Sequence, residues 1–405
     1  MLDPRVEKTH VVVPVALEIP DAWLAAAAPP SAASSAPLTD EEIDTLEKAL
    51  EPVDAFLVYA IRQIASDSTN AALRQRLFTL LLDSRYELSD ILSGEQRGPD
   101  PVRTLFIDTW NELRAILADA RRDGTLDPSL LRYALFVDAG DALLALERAA
   151  PNLSLSAEGL RRLARSLRPG ETGDPLDYGW AVDPQLQEFF HVETLPEKTS
   201  SLGFFIKVAA TEEQPLDRWI PRRGELADYA TRIDALLKTT AAAELQRKPL
   251  AAPYDRMFAS IVPTTALIES CWRQYVVRAG KVTYLRSQSR SVGIMQINQR
   301  VWRGFYDVQR LRWNTAYNIR AGTQILLRYV NDYAIPYAEK SGKPTDVPRA
   351  TYAVYNAGPR AVGRFAKSPP HPREARVDEK LWSLYQGVAN GGKPDLESCG
   401  VRNPG

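Results

Sequence analysis

Apolar residues recur at three- and four-residue intervals along most of this chain, and turn formers cut that pattern into helix-length pieces. Ile43, Leu46, Leu50, Val53, Phe56 and Leu57 mark one face of a first helix. Thr39 is placed to cap it, and Asp40, Glu41 and Glu42 suit its positive N-terminal end. The same spacing predicts helices over roughly 71–92, 101–122, 128–148, 156–167 and 224–246. Ser93-Gly94, Arg97-Gly-Pro99, Asp123-Gly124 and Pro169-Gly170 separate the first of these. Further on, a helix is expected to open near Thr264, beside Pro263, to carry Leu267, Ile268, Cys271, Tyr275 and Val276 on an apolar face, and to end at Gly280. Helices at about 315–334, 347–356 and 359–367 follow, with Asp346 as a cap of the second and Asn356-Ala-Gly-Pro359 as its breaker. Only Ser201–Val208 reads as a strand, and no fixed-period repeat is present. A chain patterned this way is mainly α.

The 405 residues are enough for two or three domains. Ala, Pro and Ser dominate from Ala25 to Pro37, so residues 1–39 read as an irregular arm or linker. The turn-forming segment Lys248-Pro-Leu-Ala-Ala-Pro253 is the expected boundary between a mainly helical domain of unknown task, 40–248, and a second domain, 249–405. No run of about 18 apolar residues exists, so no membrane-spanning helix is expected. The apolar-rich stretch from Val11 to Pro30 is interrupted by Pro14, Glu18, Pro20 and Asp21 and lacks a basic start, so it does not read as a secretory signal.

A net charge of −1 hides an asymmetry. Residues 251–405 hold 23 Lys and Arg against 11 Asp and Glu, so this part carries +12 and the rest −13. The basic part suits a polyanionic partner, and the acidic part suits an unidentified protein partner. The three histidines, His10, His191 and His371, are far from one another and from the two cysteines, so neither a metal site nor a serine–histidine triad is expected. No phosphate-binding glycine loop, zinc finger or RNA-recognition signature accompanies the basic charge, so neither a cofactor nor nucleic acid is implied.

Chemistry concentrates at Glu269. From Ser270 through Tyr306 no Asp or Glu follows it, and the stretch contains the loop Ser291-Val-Gly-Ile-Met-Gln-Ile-Asn298. Cleaving a glycosidic bond needs a proton held near neutral pH, and an isolated carboxyl on an apolar helix has its pKa raised by desolvation. Taken singly, Glu269 reads as a solvated helix residue. Glu269-Ser270, Gly293-Ile-Met-Gln-Ile297, Asn318-Ile319 with Ala321-Gly322, and Tyr355-Asn-Ala-Gly358 change that reading, because together they resemble, in order and spacing, the catalytic domain of the soluble lytic transglycosylase (SLT) family over roughly residues 250–390.

The resemblance implies a lysozyme-like α-helical catalytic domain, C-terminal to the separate mostly helical one. It implies a peptidoglycan lytic transglycosylase, in which one Glu protonates the leaving oxygen and then deprotonates the muramic acid C6 hydroxyl to close a 1,6-anhydro ring. Glu269 is then the catalytic residue. Ser287 and Ser289 are candidate partners of its carboxyl or of a substrate amide. Gly293 would admit backbone close to the sugar, Gln296 and Asn298 would offer amide hydrogen bonds, and Met295 a soft wall. Tyr355 and Asn356 match the family's substrate pair, with Tyr355 either holding Glu269 or stacking on a sugar. Asn318 and Ile319 are expected to position their helix against the catalytic one. Trp302, Trp313 and Tyr306 are either sugar-stacking groups or core.

Arg290-Ser291 stands where the family usually has Gly-Ala, and Gln299 where it often has Pro, so the loop's shape departs from the pattern. The implied partner is the peptidoglycan glycan strand and the implied place the bacterial periplasm or cell envelope. In that oxidising setting the only two cysteines, Cys271 and Cys399, are expected to pair as a disulfide. The other readings are a hydrolytic, goose-type-like lysozyme, with Asp307 or Asp332 as a second acid, and a non-catalytic wall-binding scaffold.

Overall fold

The computed structural model describes residues 40–93, 101–134, 136–137, 157–168, 170, 172–177, 179–192, 215–369, 371–397 and 399. The expected arm 1–39 and strand 201–208 lie outside them, as does most of the later part of the helix expected over 128–148. Among the described residues no helix is long and apolar enough to cross a membrane.

The helices are α1 (Asp40–Asp67), α2 (Ala71–Leu92), α3 (Pro101–Arg122), α4 (Ala157–Leu167), α5 (Pro184–Phe189), α6 (Leu226–Arg247), α7 (Tyr254–Ser270), α8 (Val308–Trp313), α9 (Thr315–Tyr329), α10 (Ile335–Ser341), α11 (Val347–Ala357) and α12 (Pro372–Ala389). A π turn, Val330–Ala334, joins α9 to α10. Two small antiparallel ribbons interrupt the helices. In one, β1 (Tyr275–Arg278) pairs with β2 (Lys281–Tyr284), and in the other β3 (Ser291–Val292) pairs with β4 (Ile297–Asn298). The mainly α expectation holds because the apolar period of three to four dominates most of the described chain outside these ribbons.

The described chain forms two compact units. One is drawn from residues up to 77 and from 96 to 178, the other from 78–95 and from 179 onward. Helix α2 therefore belongs to the first unit up to Leu77 and to the second from Phe78. In the first unit, Phe56 stacks on Trp110 at 5.8 Å, and Leu113, Leu130 and Leu160 are buried. Asp67 is held there by the Tyr133 hydroxyl at 2.6 Å and by Arg132 and Arg168.

The second unit contains the segment expected as a domain boundary, Lys248–Pro253, because α6 packs directly on α7. The stripe Tyr229, Ile233, Leu237, Ala241 and Glu244 of α6 is buried at helical spacing and needs a covering partner. Helix α7 is covered in turn by α11 and α12. It starts ten residues before the expected Thr264, so Pro263 lies inside it and not at its head. It also ends ten residues before Gly280. Cys271 and Trp272 turn left-handed (φ 52° and 59°), which takes the chain out of the helix, and their amides donate to Leu267 O and Ala266 O. Tyr275 and Val276 accordingly lie on β1, and Gly280 makes the ribbon turn. Asp346 takes its expected place at the head of α11 but makes no side-chain cap bond there, and the helix expected over 359–367 is only two short 3₁₀ turns.

Phe78, Phe190, Trp302 and Phe305 form an aromatic core in this unit, with ring centroids 5.1–6.4 Å apart. Trp302 and Tyr306 are buried there, so neither offers a face for stacking. Trp313 instead packs against Tyr275 and Tyr284, with Arg218 over its ring.

Candidate active site

Glu269 sits in the last turn of α7, where the helix presents its negative end. It keeps part of its surface open, but its carboxyl lies deep among protein atoms. Desolvation is the dominant influence and pushes its pKa up from 4.5 to about 7, against the opposing pull of a Tyr352 hydrogen bond and the cations Arg364 and Lys380. The Tyr352 hydroxyl donates to Glu269 Oε1 at 3.0 Å. Tyr352 lies on α11, one turn before Tyr355.

The β3–β4 loop, which holds the second motif, is tied to Ser270 next to Glu269, and its backbone is clamped by residues from the other three motifs and by Gln274. Ser270 Oγ donates to Ile294 O at 2.6 Å. Asn318 Oδ1 accepts from Met295 N at 2.9 Å, while Asn318 Nδ2 donates to Val292 O and Leu311 O at 3.0 and 2.9 Å. The Tyr355 hydroxyl donates to Met295 O at 2.6 Å. Gln274, on the exit from α7, accepts from Ile294 N at 2.7 Å through Oε1. An irregular loop buried this deeply needs its amides and carbonyls paired, and these side chains do it. Gly322 belongs to the same clamp, since a Cβ there would lie 2.6 Å from Met295 Cγ. Four motifs scattered over some ninety residues therefore share one task, the shape of a single loop beside Glu269.

This geometry revises several residue expectations. Tyr355 does not hold Glu269; its hydroxyl is committed to Met295 O, and Tyr352 makes the bond. Met295 is fully buried against Gly322, so it is core and not an open wall. Gly293 has φ +75°, and a Cβ there would meet Asn318 Nδ2 at 2.3 Å and Gln274 Oε1 at 2.5 Å, so its smallness serves the clamp. Gln296 Nε2 donates to Gly293 O at 2.8 Å across the loop tip. Asn298 Nδ2 donates to Ser89 Oγ at 2.7 Å, and its Oδ1 accepts from the amides of Arg300 and Val301, so it organises the loop exit. Ser287 Oγ pairs with Ser289 Oγ at 2.9 Å and accepts from Ser291 N, shaping the approach to β3 instead of touching Glu269. Asn318 positions the loop more than its helix. Asn356 remains exposed, with Oδ1 accepting from Arg364 Nη1 at 2.7 Å.

The two carboxylates considered as a second acid are otherwise engaged. Asp307 caps α8 through the amides of Gln309 and Arg310, and Asp332 pairs with Arg328 at 3.1 Å. Cys271 and Cys399 are free thiols and not a disulfide; Cys271 Sγ donates to the carbonyl of Cys399 at 3.1 Å. Burial, with the neighbouring Cys399, pushes the Cys271 thiol above its ordinary range.

Sequence reasoning missed the contribution of α2. The Tyr86 hydroxyl donates to Tyr355 O at 3.0 Å and pairs with Tyr329 OH at 3.2 Å. Its ring fills the space over Gly358, where a Cβ would lie 2.9 Å from it. Arg85 Nη1 donates to Val301 O and Arg303 O, and Ser89 supports Asn298. Nothing local in 78–95 marks these roles. Tyr352 carried a weak signal, since it shares a helix face with Tyr355 at i, i+3.

Residues 256–376 match the family model described as the transglycosylase SLT domain. No curated protein and no solved structure matches the chain. The matched segment carries the SLT domain anticipated from the motifs, and at family level that domain implies lytic-transglycosylase-type action on peptidoglycan. Tyr86, Ser89 and Asp378 lie outside the matched residues.

Proposed function

We propose that the chain uses this SLT domain as a peptidoglycan lytic transglycosylase, cutting the β-1,4 bond between N-acetylmuramic acid and N-acetylglucosamine with Glu269 as the single catalytic group. The observation that carries the reading is a carboxyl with a pKa pushed up to about 7, held by one tyrosine hydroxyl. A group poised there is protonated often enough to act as acid and ionised often enough to act as base.

In the first half-reaction Glu269 gives its proton to the glycosidic oxygen, and the bond from that oxygen to the muramic acid anomeric carbon breaks. The neighbouring 2-acetamido oxygen shields the cation that develops. The carboxylate left behind is stabilised by the Tyr352 hydroxyl and by the fields of Arg364 and Lys380. In the second half-reaction it takes the proton of the C6 hydroxyl as that oxygen attacks the anomeric carbon. The 1,6-anhydro ring closes, Glu269 is protonated again, and no water is consumed. A tethered hydroxyl competes well against water because its effective concentration far exceeds ordinary molarity. The place of action that fits this substrate is the bacterial cell envelope.

Mass spectrometry of products from purified peptidoglycan tests the reading. Anhydro-muramic ends are expected. Hydrated, reducing ends, one water heavier, would overturn it in favour of hydrolysis. Folded Glu269→Gln protein, which cannot cycle a proton, is expected to be inactive.

A further inference from the structure

Asn356 stands exposed at the end of α11, takes no part in the loop clamp, and has an environment that gives it a fixed polarity. Its Oδ1 is occupied by Arg364 Nη1 at 2.7 Å. A guanidinium carries donors and no acceptor, so the amide cannot flip without placing its NH₂ against another donor. Arg364 is itself immobile. Its Nε lies 3.2 Å from both oxygens of Asp378 and its Nη2 donates to Asp378 Oδ1 at 2.7 Å. The side chains of this pair are only 3% and 5% exposed.

The pair also has no evident use as a stability device, because a buried ion pair commonly adds little over apolar packing of the same volume. Its third contact, the one to Asn356, is made to an exposed residue at the end of α11. Among the described residues, Asn356 Nδ2 meets no acceptor. Asp378 stands on α12, beyond the matched SLT segment.

We propose that Asp378 and Arg364 are positioning residues that lock Asn356 as a donor-only contact for an uncharged acceptor oxygen, a carbonyl or hydroxyl, of the bound glycan strand. The inference rests on the catalytic reading of Glu269. Locking an amide in advance removes the cost of choosing between its two faces when substrate arrives. It also sets specificity, since a site built to donate rejects a ligand that presents a hydrogen-bond donor at that point.

Steady-state kinetics on un-cross-linked glycan strands test it, beside thermal unfolding of each variant. Asn356→Asp keeps an oxygen for Arg364 and replaces the outward NH₂ with an acceptor. It is expected to fold like the parent and to lose about tenfold in kcat/KM, mainly through KM, the size of one lost hydrogen bond with its partner left unsatisfied. Parental kcat/KM in this variant would overturn the donor role.

Arg364→Met with Asp378→Leu removes the ion pair as a unit and frees the amide to flip. Its KM is expected to rise several-fold, and adding Asn356→Ala to it is expected to cost less than Asn356→Ala costs in the parent. Additive costs would overturn the positioning role, since the direct bond from Arg364 to Asn356 would then carry nothing in substrate binding. Where the double replacement fails to fold, Asn356→Asp decides alone. Glu269→Gln runs alongside: activity there sinks the catalytic reading itself, whereas inactivity there with parental Asn356→Asp sinks only this inference.

Discussion

Replacing Glu269 with Gln should stabilise the protein, and only at neutral and alkaline pH. The carboxyl is desolvated in the folded chain and free in the unfolded one, so its folded pKa, about 7, lies above its ordinary 4.5. A raised pKa means the folded state binds the proton more tightly. The matching stability is fully present below about 4.5 and is lost as pH rises through 7, where the ionised group must be kept in its recess. The gap between 4.5 and about 7, at about 1.4 kcal/mol per pH unit, comes to roughly 3 kcal/mol. Gln is nearly isosteric, never ionises, and still offers an oxygen to the Tyr352 hydroxyl. Urea unfolding of the two proteins should therefore coincide near pH 4 and diverge with rising pH, the Gln variant reaching about 2–3 kcal/mol more stable at pH 8. A stability difference that is absent at pH 8, or equal at every pH, would refute the claim that burial sets the state of this carboxyl. The experiment needs no substrate, so it tests the electrostatics separately from the chemistry.

Two further outcomes follow from the same geometry. Tyr352→Phe removes a hydrogen bond that favours the ionised carboxylate, so Glu269 should hold its proton to higher pH and the alkaline limb of the pH–rate profile should move up by about one unit, with water offsetting part of the lost bond; a limb that stays put would reduce Tyr352 to packing. Gly293→Ala places a methyl 2.3 Å from Asn318 Nδ2 at φ +75°, so strain and a broken clamp should together cost on the order of 3 kcal/mol in urea unfolding, and parental stability would show that the loop can rearrange.

Much of the fold was legible in the residues because helices answer to local spacing. Helices α2 and α3 begin and end where periodicity and turn residues put them, and α6 and α11 fall within two residues of expectation. Helix α7 was misjudged at both ends for a local reason. Pro263 reads as a helix start, but here it is tolerated in the interior, and the stop is made by non-glycine residues forced left-handed at Cys271 and Trp272. Packing on α6, α11 and α12 overrides both preferences.

The site divides along the same line. The lone acid at Glu269 and the four motifs could be read from the chain, because residue identity and order are one-dimensional. Which side chain touches which could not. Tyr352 reaches Glu269 across 83 residues, Tyr86 reaches the Tyr355 carbonyl across 269, and Ser89 reaches Asn298 across 209. Sequence by itself determined the chemistry available, one carboxyl on an apolar helix followed by an uncharged loop. Tertiary structure alone decided that the motif residues clamp the loop, that Tyr352 and not Tyr355 holds the acid, and that α2 closes over Gly358. Desolvation and hydrogen bonding depend on atoms brought within a few ångströms, and only the folded chain supplies that proximity.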